Sequence, residues 1–316
     1  MEYKHLPVML KEVMEYLNPE PGNNYIDCTL GGGGYSKAIL GRLGNEGKVL
    51  AIDLDNLAIA NAALTLKLSI ANHQLYLAHA NFKNLSVIVK KYFTADARFD
   101  GIVLDLGLSS AQLEDRARGF SFNLTGAQLN MNFGGGITET AENIINSWDI
   151  KELAKIFRDY GEEKFAYKIA LAIAAERRIK RIITTDQLVK IIAGAIPKRF
   201  QDKKTHPATK IFQSLRLAVN QELDNLRGAL PQAVSLLKPG GKLAVISYHS
   251  LEDRIVKQYF RQAARDCLCP PIMPICQCGH KAELKILTRK VLRPTAEEVL
   301  KNPRSRSAKL RVVEKI

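Results

Sequence analysis

The segment Asp27-Cys28-Thr29-Leu30-Gly31-Gly32-Gly33-Gly34-Tyr35-Ser36 constrains this chain most. An apolar strand runs directly into consecutive glycines and then into a helix. Without a Cβ, the backbone can turn sharply there, and a ligand can lie against bare peptide groups. At the end of the first strand of an α/β sheet, such a loop marks a pocket for a nucleotide-like cofactor.

The first hundred residues continue this pattern. Strands are expected at 25–28, 48–53, 74–77 and 101–105, separated by helical stretches at 36–43, 56–68 and 85–92. The alternation predicts a parallel, doubly wound sheet of the α/β class. From about 115 to 207 strand signals are scarce and helix signals dense. Asp149 with Glu152 and Thr184 with Gln187 form capping boxes ahead of apolar residues at helical spacing. Strand patterns return at 242–247, introduced by the turn Pro239-Gly240-Gly241, and again at 284–288 and 309–313. The expected organisation is therefore a sheet domain formed by 1–114 and 208–316, with an all-helical insertion at 115–207.

With 316 residues, of which 46% are hydrophobic, the chain can bury a sizeable core. Residues 1–10 lack the apolar run of a signal peptide, and no stretch is long enough to span a membrane, so a cytoplasmic protein is expected. The net charge of +14 is clustered. Residues 177–210 carry ten basic and two acidic side chains, and 285–315 carry ten and three. Clustered cations favour a polyanion, because each neutralised phosphate releases condensed counterions.

Cofactor choice turns on spacing. The dinucleotide pattern G-x-G-x-x-G fails, since Ser36 stands where the third glycine is needed after Gly31 and Gly33. A nicotinamide-dependent oxidoreductase is thereby disfavoured. Asp53 ends the second strand, where a carboxylate can accept both hydroxyl hydrogens of an adenosine ribose. Asp105 ends the fourth, beside the reacting end of a cofactor laid across the sheet edge. Phe82 follows the third strand, where an aromatic ring could flank an adenine; a plain core role is the alternative.

At Asp105-Leu106-Gly107-Leu108-Ser109-Ser110-Ala111-Gln112-Leu113 the chain resembles the bacterial small-subunit ribosomal RNA cytosine-N4 methyltransferases, the RsmH or MraW family. Further matching blocks include His5-Leu6-Pro7-Val8, Arg118-Gly119-Phe120-Ser121-Phe122, Tyr160-Gly161-Glu162-Glu163 and His206-Pro207-Ala208-Thr209. Later come Phe212-Gln213-Ser214-Leu215-Arg216, Val219-Asn220-Gln221-Glu222-Leu223, Ser247-Tyr248-His249-Ser250-Leu251-Glu252-Asp253-Arg254 and Asn302-Pro303-Arg304-Ser305-Arg306-Ser307-Ala308. The resemblance runs essentially end to end. It implies a Rossmann-like, S-adenosylmethionine-dependent enzyme with an inserted helical domain, which methylates the N4 amine of one cytidine in the decoding centre of the 30S subunit. Family cofactor contacts fall on Gly33, Gly34, Tyr35, Asp53, Phe82, Asp105 and Gln112.

The sequence departs from the family pattern in places. Tyr35 stands where the commonest form has His, and Lys210 where Arg is usual. More substantially, Leu129-Asn130-Met131-Asn132-Phe133-Gly134 replaces Leu-Asp-Met-Arg-Met-Asp. That change motivates an alternative, a catalytically weak RNA-binding relative with altered specificity.

Methylating a cytosine amine requires the nitrogen to be held in line with the methyl carbon, and acceptors for its hydrogens. The catalytic candidates are Asp105, Tyr248 and His249. Tyr248 could stack on an extruded pyrimidine or serve as a structural tyrosine. His249 could take a proton, or pack against Glu252. Thr209, Gln213, Arg216 and Asn220 share one helix face, read as solvated, or as a site wall or RNA contact. Phe212, Leu215 and Val219 on the neighbouring face are expected to anchor that helix to the sheet. Cys267, Cys269, Cys276 and Cys278 are dense enough to suggest zinc ligation, although C-x-C is not the usual spacing, and a loop of reduced thiols is the other option. No metal site is assigned from sequence. Cys28 reads as a small buried hydrophobe. Oligomeric state, a homodimer included, stays open.

Overall fold

The computed structural model describes residues 7–134, 136–200, 206–270, 272–273 and 275–316. His5 of the first family block, and Lys203 and Lys204 of the basic stretch, lie outside them. The chain forms two compact units: 1–107 with 223–316, and 108–222.

The first unit is built on a seven-stranded sheet: β1 (Asn24–Asp27), β2 (Lys48–Asp53), β3 (Leu75–His79), β4 (Phe99–Asp105), β5 (Leu237–Ser247), β6 (Leu284–Ile286) and β7 (Lys309–Lys315). Their order is β3-β2-β1-β4-β5-β7-β6. β1 to β5 run parallel, whereas β7 is antiparallel to both β5 and β6. Strand order reverses between β1 and β4, which opens a crevice at their carboxyl ends.

Alternation along the strands explains the layering. Ile26, Leu50, Ile52, Ile102, Leu104, Leu243 and Val245 face one core, with helices Leu85–Tyr92, Glu222–Leu236 and Ser250–Ala263. The intervening Tyr25, Val49, Ala51, Val103, Ala244 and Ile246 face the other, with helices Leu10–Leu17, Gly34–Leu40 and Asn56–Thr65. A sheet covered on both faces needs near-continuous apolar strands, as this one has.

Two local readings change. The expected helix at 56–68 breaks at Leu66, whose backbone leaves the helical region before a short helix, Lys67–Ala71. The Pro239-Gly240-Gly241 turn is absorbed into β5. A register shift opposite Phe99/Gly101 accommodates it, with Gly240 at φ 79°.

The second unit is helical, with helices Ser110–Glu114, Ala141–Ser147, Ile150–Asp159, Ala166–Ile179, Thr185–Ala195 and Thr209–Asn220. Both capping boxes form: Glu152 N–H donates to Asp149 Oδ1 at 2.7 Å, and Thr184 N–H donates to Gln187 Oε1 at 3.1 Å. The unit starts at 108 and ends at 222, where the sequence pattern suggests 115 and 207. Its core supplies the reason. Ile211, Phe212, Leu215 and Val219 pack with Phe157, Ile169, Ile173 and Leu188, so helix Thr209–Asn220 is anchored to other helices and not to the sheet, contrary to expectation.

Among the described residues, no helix is long and apolar enough to cross a membrane. Phe157 is fully buried at the centre of the helical core. Phe157→Ala should destabilise this unit by about 3–5 kcal/mol. Urea unfolding followed by circular dichroism checks this, and a shift under about 1 kcal/mol contradicts the packing described.

Candidate active site

The site is built from the carboxyl ends of the parallel strands. β1 ends in Asp27, β2 in Asp53 and β4 in Asp105, and the glycine loop leaves β1 between them. Gly33 adopts φ 77° as the cap of helix Gly34–Leu40, a conformation that disfavours any side chain. A Cβ on Gly34 would meet Pro7 at 2.7 Å. Gly33 is thus fixed by its backbone conformation and Gly34 by the Pro7 ring, and the N–H of Gly34 lies at the start of the helix.

Each carboxylate holds part of this frame. Asp27, fully buried, accepts from Ser36 Oγ at 2.7 Å and from Thr29 N–H at 3.2 Å. Asp53 accepts from Gly31 N–H at 2.8 Å through one oxygen and from Asp55 N–H at 2.8 Å through the other. Asp105 donates its N–H to Thr29 Oγ1 at 2.6 Å, so one threonine ties β1 to β4. Its carboxylate accepts from the Tyr248 hydroxyl at 2.7 Å. Tyr248 immediately follows β5, so two of the catalytic candidates from sequence are in direct contact.

Burial pushes the Asp105 carboxyl up to about 7, against the opposing pull of the Tyr248 hydrogen bond; the charges of Asp27 and Glu252 add to the rise. Burial likewise raises Asp27 and Asp53 to about 6. The Tyr248 hydroxyl lies well above its ordinary value, through burial and the neighbouring Asp105 charge. It therefore stays protonated and donates to the Asp105 carboxylate.

Other predicted residues take different places. The Tyr35 ring is buried in the core and its hydroxyl donates to the Val8 carbonyl, so its side chain is committed to packing and only its backbone stands in the loop. Phe82 begins a 3-10 turn after β3 and packs half-buried against the core. Gln112 lies in the helical unit, where its side chain accepts from Ser109 N–H at 3.0 Å and closes a capping box.

His249 caps helix Ser250–Ala263, and its Nδ1 accepts from Glu252 N–H at 3.5 Å. Its Nε2 lies 3.1 Å from Glu252 Oε1, but off the direction a hydrogen bond requires. Glu252, itself buried, accepts from the N–H groups of Tyr248 at 2.9 Å and His249 at 3.3 Å. It clasps the turn that carries both residues. Asp27 and Thr29 are site residues that the sequence alone does not single out, and Glu252, read there only as a packing partner of His249, also holds Tyr248. Asp27 shows the same signal as Asp53 and Asp105, an acid closing an apolar strand.

The polar stripe of the helical unit is used internally. Gln213 donates to the Tyr160 carbonyl, Arg216 pairs with Glu222 at 2.9 Å, and Asn220 donates to the Met131 carbonyl while accepting from Phe133 N–H. In the altered loop, the Asn132 amide donates to the carbonyls of Ile137 and Glu139 and accepts from Gly134 N–H. Lys210 donates to the Glu162 carbonyl and lies 3.8 Å from Glu163.

A sheet in this order, with acids at the ends of β1, β2 and β4 around a glycine turn, suits a nucleoside-bearing cofactor, and the family match makes the class that of the S-adenosylmethionine-dependent methyltransferases. The model of the MraW methylase family matches residues 2–316, and the chain belongs to that family. A relative from Thermomicrobium roseum, named ribosomal RNA small subunit methyltransferase H, is 50% identical over 99% of this chain and 94% of its own length. Relatives of the same name from Heliobacterium modesticaldum and Dehalococcoides mccartyi are 45% and 48% identical over 100% of this chain, covering 100% and 87% of their own lengths.

The raised carboxyls carry a stability signature. Between about pH 4 and about pH 7 the fold by itself holds protons that the unfolded chain has lost, so its stability should fall as pH rises through that window. Asp105→Asn removes one contributor and should flatten the slope. Urea midpoints measured at about pH 5, 6 and 7 test this, and an unchanged slope would show that Asp105 titrates normally.

Proposed function

We propose that the chain methylates the N4 amine of a cytidine in small-subunit ribosomal RNA, acting in the cytoplasm on the decoding centre of the 30S subunit. The observation that carries this reading is the Tyr248–Asp105 hydrogen bond at the switch point of a methylase sheet. The names of the relatives support the RNA class.

The donor set fits the cofactor. A sulfonium cation and ribose hydroxyls call for oxygen acceptors, and Asp27, Asp53 and Asp105 close adjacent strands there. S-adenosylmethionine, when bound, supplies a methyl group on an already good leaving group. Each Asp53 oxygen accepts one backbone N–H and keeps lone-pair capacity for a ribose hydroxyl. Gly34 and Tyr35 would present backbone N–H groups, Gly33 would supply the bend, since its own N–H already donates to the Leu30 carbonyl at 2.7 Å, and Phe82 would flank the adenine.

Asp105 accepts a hydrogen from the target amine, which lets the nitrogen lone pair leave conjugation with the ring, and then takes the proton released after attack. With its carboxyl near 7, it serves as an acceptor close to neutral pH. Tyr248 fixes which oxygen of Asp105 is free, and its ring remains the surface on which a pyrimidine could stack. His249 acts by holding the turn with Glu252.

RNA phosphates would meet the exposed Arg178, Lys180, Lys190, Lys198 and Arg199 of the helical unit. Lys180, Arg181 and Lys190 line a groove of about 290 Å³ with Glu176, and Arg199 stacks over Phe200 at 4.8 Å. In the sheet unit, Arg289, Lys290, Arg293 and Arg306 are exposed, while Arg311 and Lys309 are drawn to Asp253.

Asp105→Ala should reduce methyl transfer to 30S subunits by about 10²–10⁴-fold with unchanged circular dichroism. Tyr248→Phe should cost about 10–100-fold, the worth of one hydrogen bond to a charged group. Mass mapping of N4-methylcytidine in ribosomal RNA from cells lacking the gene, with each variant restored, reads both outcomes; an unchanged pattern in the deletion strain refutes the reading. Replacing Lys180 and Lys190 together should lower the slope of log affinity against log salt by about 0.9 for each phosphate left unneutralised. Filter binding to 30S subunits measures it.

A further inference from the structure

Between helix Ser250–Ala263 and β6 the chain projects a loop whose base is pinched by Glu283 N–H donating to the Ala263 carbonyl at 2.8 Å. No described residue from 264 to 283 is buried, and Ile272 and Ile275 are 90% and 74% exposed. Hydrophobic burial therefore cannot hold this loop in one conformation. What converges in it is sulfur.

The Sγ atoms of Cys267, Cys269, Cys276 and Cys278 all lie within 4.8 Å of one another. Cys267 is 3.4 Å from Cys276 and 3.8 Å from Cys278, and Cys276 is 3.6 Å from Cys278. These separations are far beyond the ~2.05 Å of a disulfide. They match the edge of a tetrahedron around zinc, which for Zn–S bonds of about 2.3 Å is ~3.8 Å.

The backbone reinforces the arrangement. Leu268, the central residue of one C-x-C pair, donates its N–H to Cys278 Sγ at 3.3 Å, and Gln277, central in the other, donates to Cys269 Sγ at 3.4 Å. Cys269 N–H donates to Cys267 Sγ at 3.3 Å. Each pair thus supports a sulfur of the opposite pair. Thiolates are far better acceptors than thiols, and N–H donors around bound thiolates orient them and offset their charge.

We propose that Cys267, Cys269, Cys276 and Cys278 form a tetrathiolate zinc site that folds this loop. Four sulfur ligands fill the tetrahedron and leave no open position, so the role is structural and separate from methyl transfer. Soft thiolates select zinc, or iron, over calcium or magnesium, and iron is a named outcome of the test.

The full chain, purified without added metal, should carry one equivalent of zinc by mass spectrometry of the elements. Cys276→Ser with Cys278→Ser should lower zinc by about tenfold or more, while Cys28→Ser keeps it. Cobalt(II) exchanged into the wild type should show the sulfur-to-cobalt charge-transfer band of a tetrathiolate. Chelation should expose 264–283 to limited proteolysis with helix content retained. The proposal is overturned if wild type, dialysed after equimolar zinc chloride, holds less than about a tenth of an equivalent, if it carries iron instead, or if its intact mass shows the four thiols paired as disulfides. These measurements read metal and loop order, so failure here leaves the methyltransferase reading untouched, and the converse also holds.

Discussion

Crowding of negative charge at one sheet edge governs the rest of this structure. Asp27, Asp53 and Asp105 close neighbouring parallel strands, and burial opposes ionisation of each. Such a cluster persists only if donors are supplied, and the chain supplies them locally: Ser36 to Asp27, Gly31 and Asp55 to Asp53, Tyr248 to Asp105. The glycine turn is therefore more than a gap for a ligand. Through Gly31 it braces one carboxylate, and through Thr29 it ties the strand carrying another. A missing donor would leave a buried acid unsatisfied, at a cost of about 1–3 kcal/mol or more.

The helical unit solves a different problem, holding irregular chain without a sheet. Its core of Phe157, Ile169, Leu188 and Phe212 is apolar, but the segment 129–134 is fixed by amides. Asn220 joins the carbonyl of Met131 to the N–H of Phe133, and Asn132 gathers two carbonyls and one N–H. At 132, where the family pattern has Arg, the Asn amide also donates to those carbonyls, and it accepts from Gly134 N–H, which a guanidinium cannot do. The departure from the family pattern at this loop is thus compensated within the chain by an amide that both donates and accepts.

Legibility of the sequence tracks the range of the interaction involved. β1 to β4 and both capping boxes are readable because short apolar runs between turn and helix signals, and reciprocal cap bonds, are local. The acids ending β2 and β4 are readable for the same reason. The two long-range features are not. Phe212, Leu215 and Val219 form an apolar face in either setting, and only tertiary contact decides that helices cover it. The burial of the Tyr35 ring, whose hydroxyl is held by Val8, is likewise set by tertiary contact and leaves its backbone to serve the loop. The packing of His249 against Glu252 is local and is one of the two readings the sequence allows, whereas the hold of the same carboxylate on Tyr248 N–H is visible only in the structure.

The same charge crowding separates the cofactors a glycine loop can take. A dinucleotide places a diphosphate, with two negative charges, against the loop and helix start. Here that place adjoins carboxylates at the ends of β1, β2 and β4, and like charges at such range repel strongly where water is excluded. A sulfonium cofactor reverses the sign of the problem. In the proposed site its cation would relieve the repulsion among the acids, and its ribose hydroxyls would donate to oxygens that otherwise have to hold protons. The carboxylates that strain the fold would there be the groups that this ligand satisfies, so binding and ionisation would reinforce each other at one edge of the sheet.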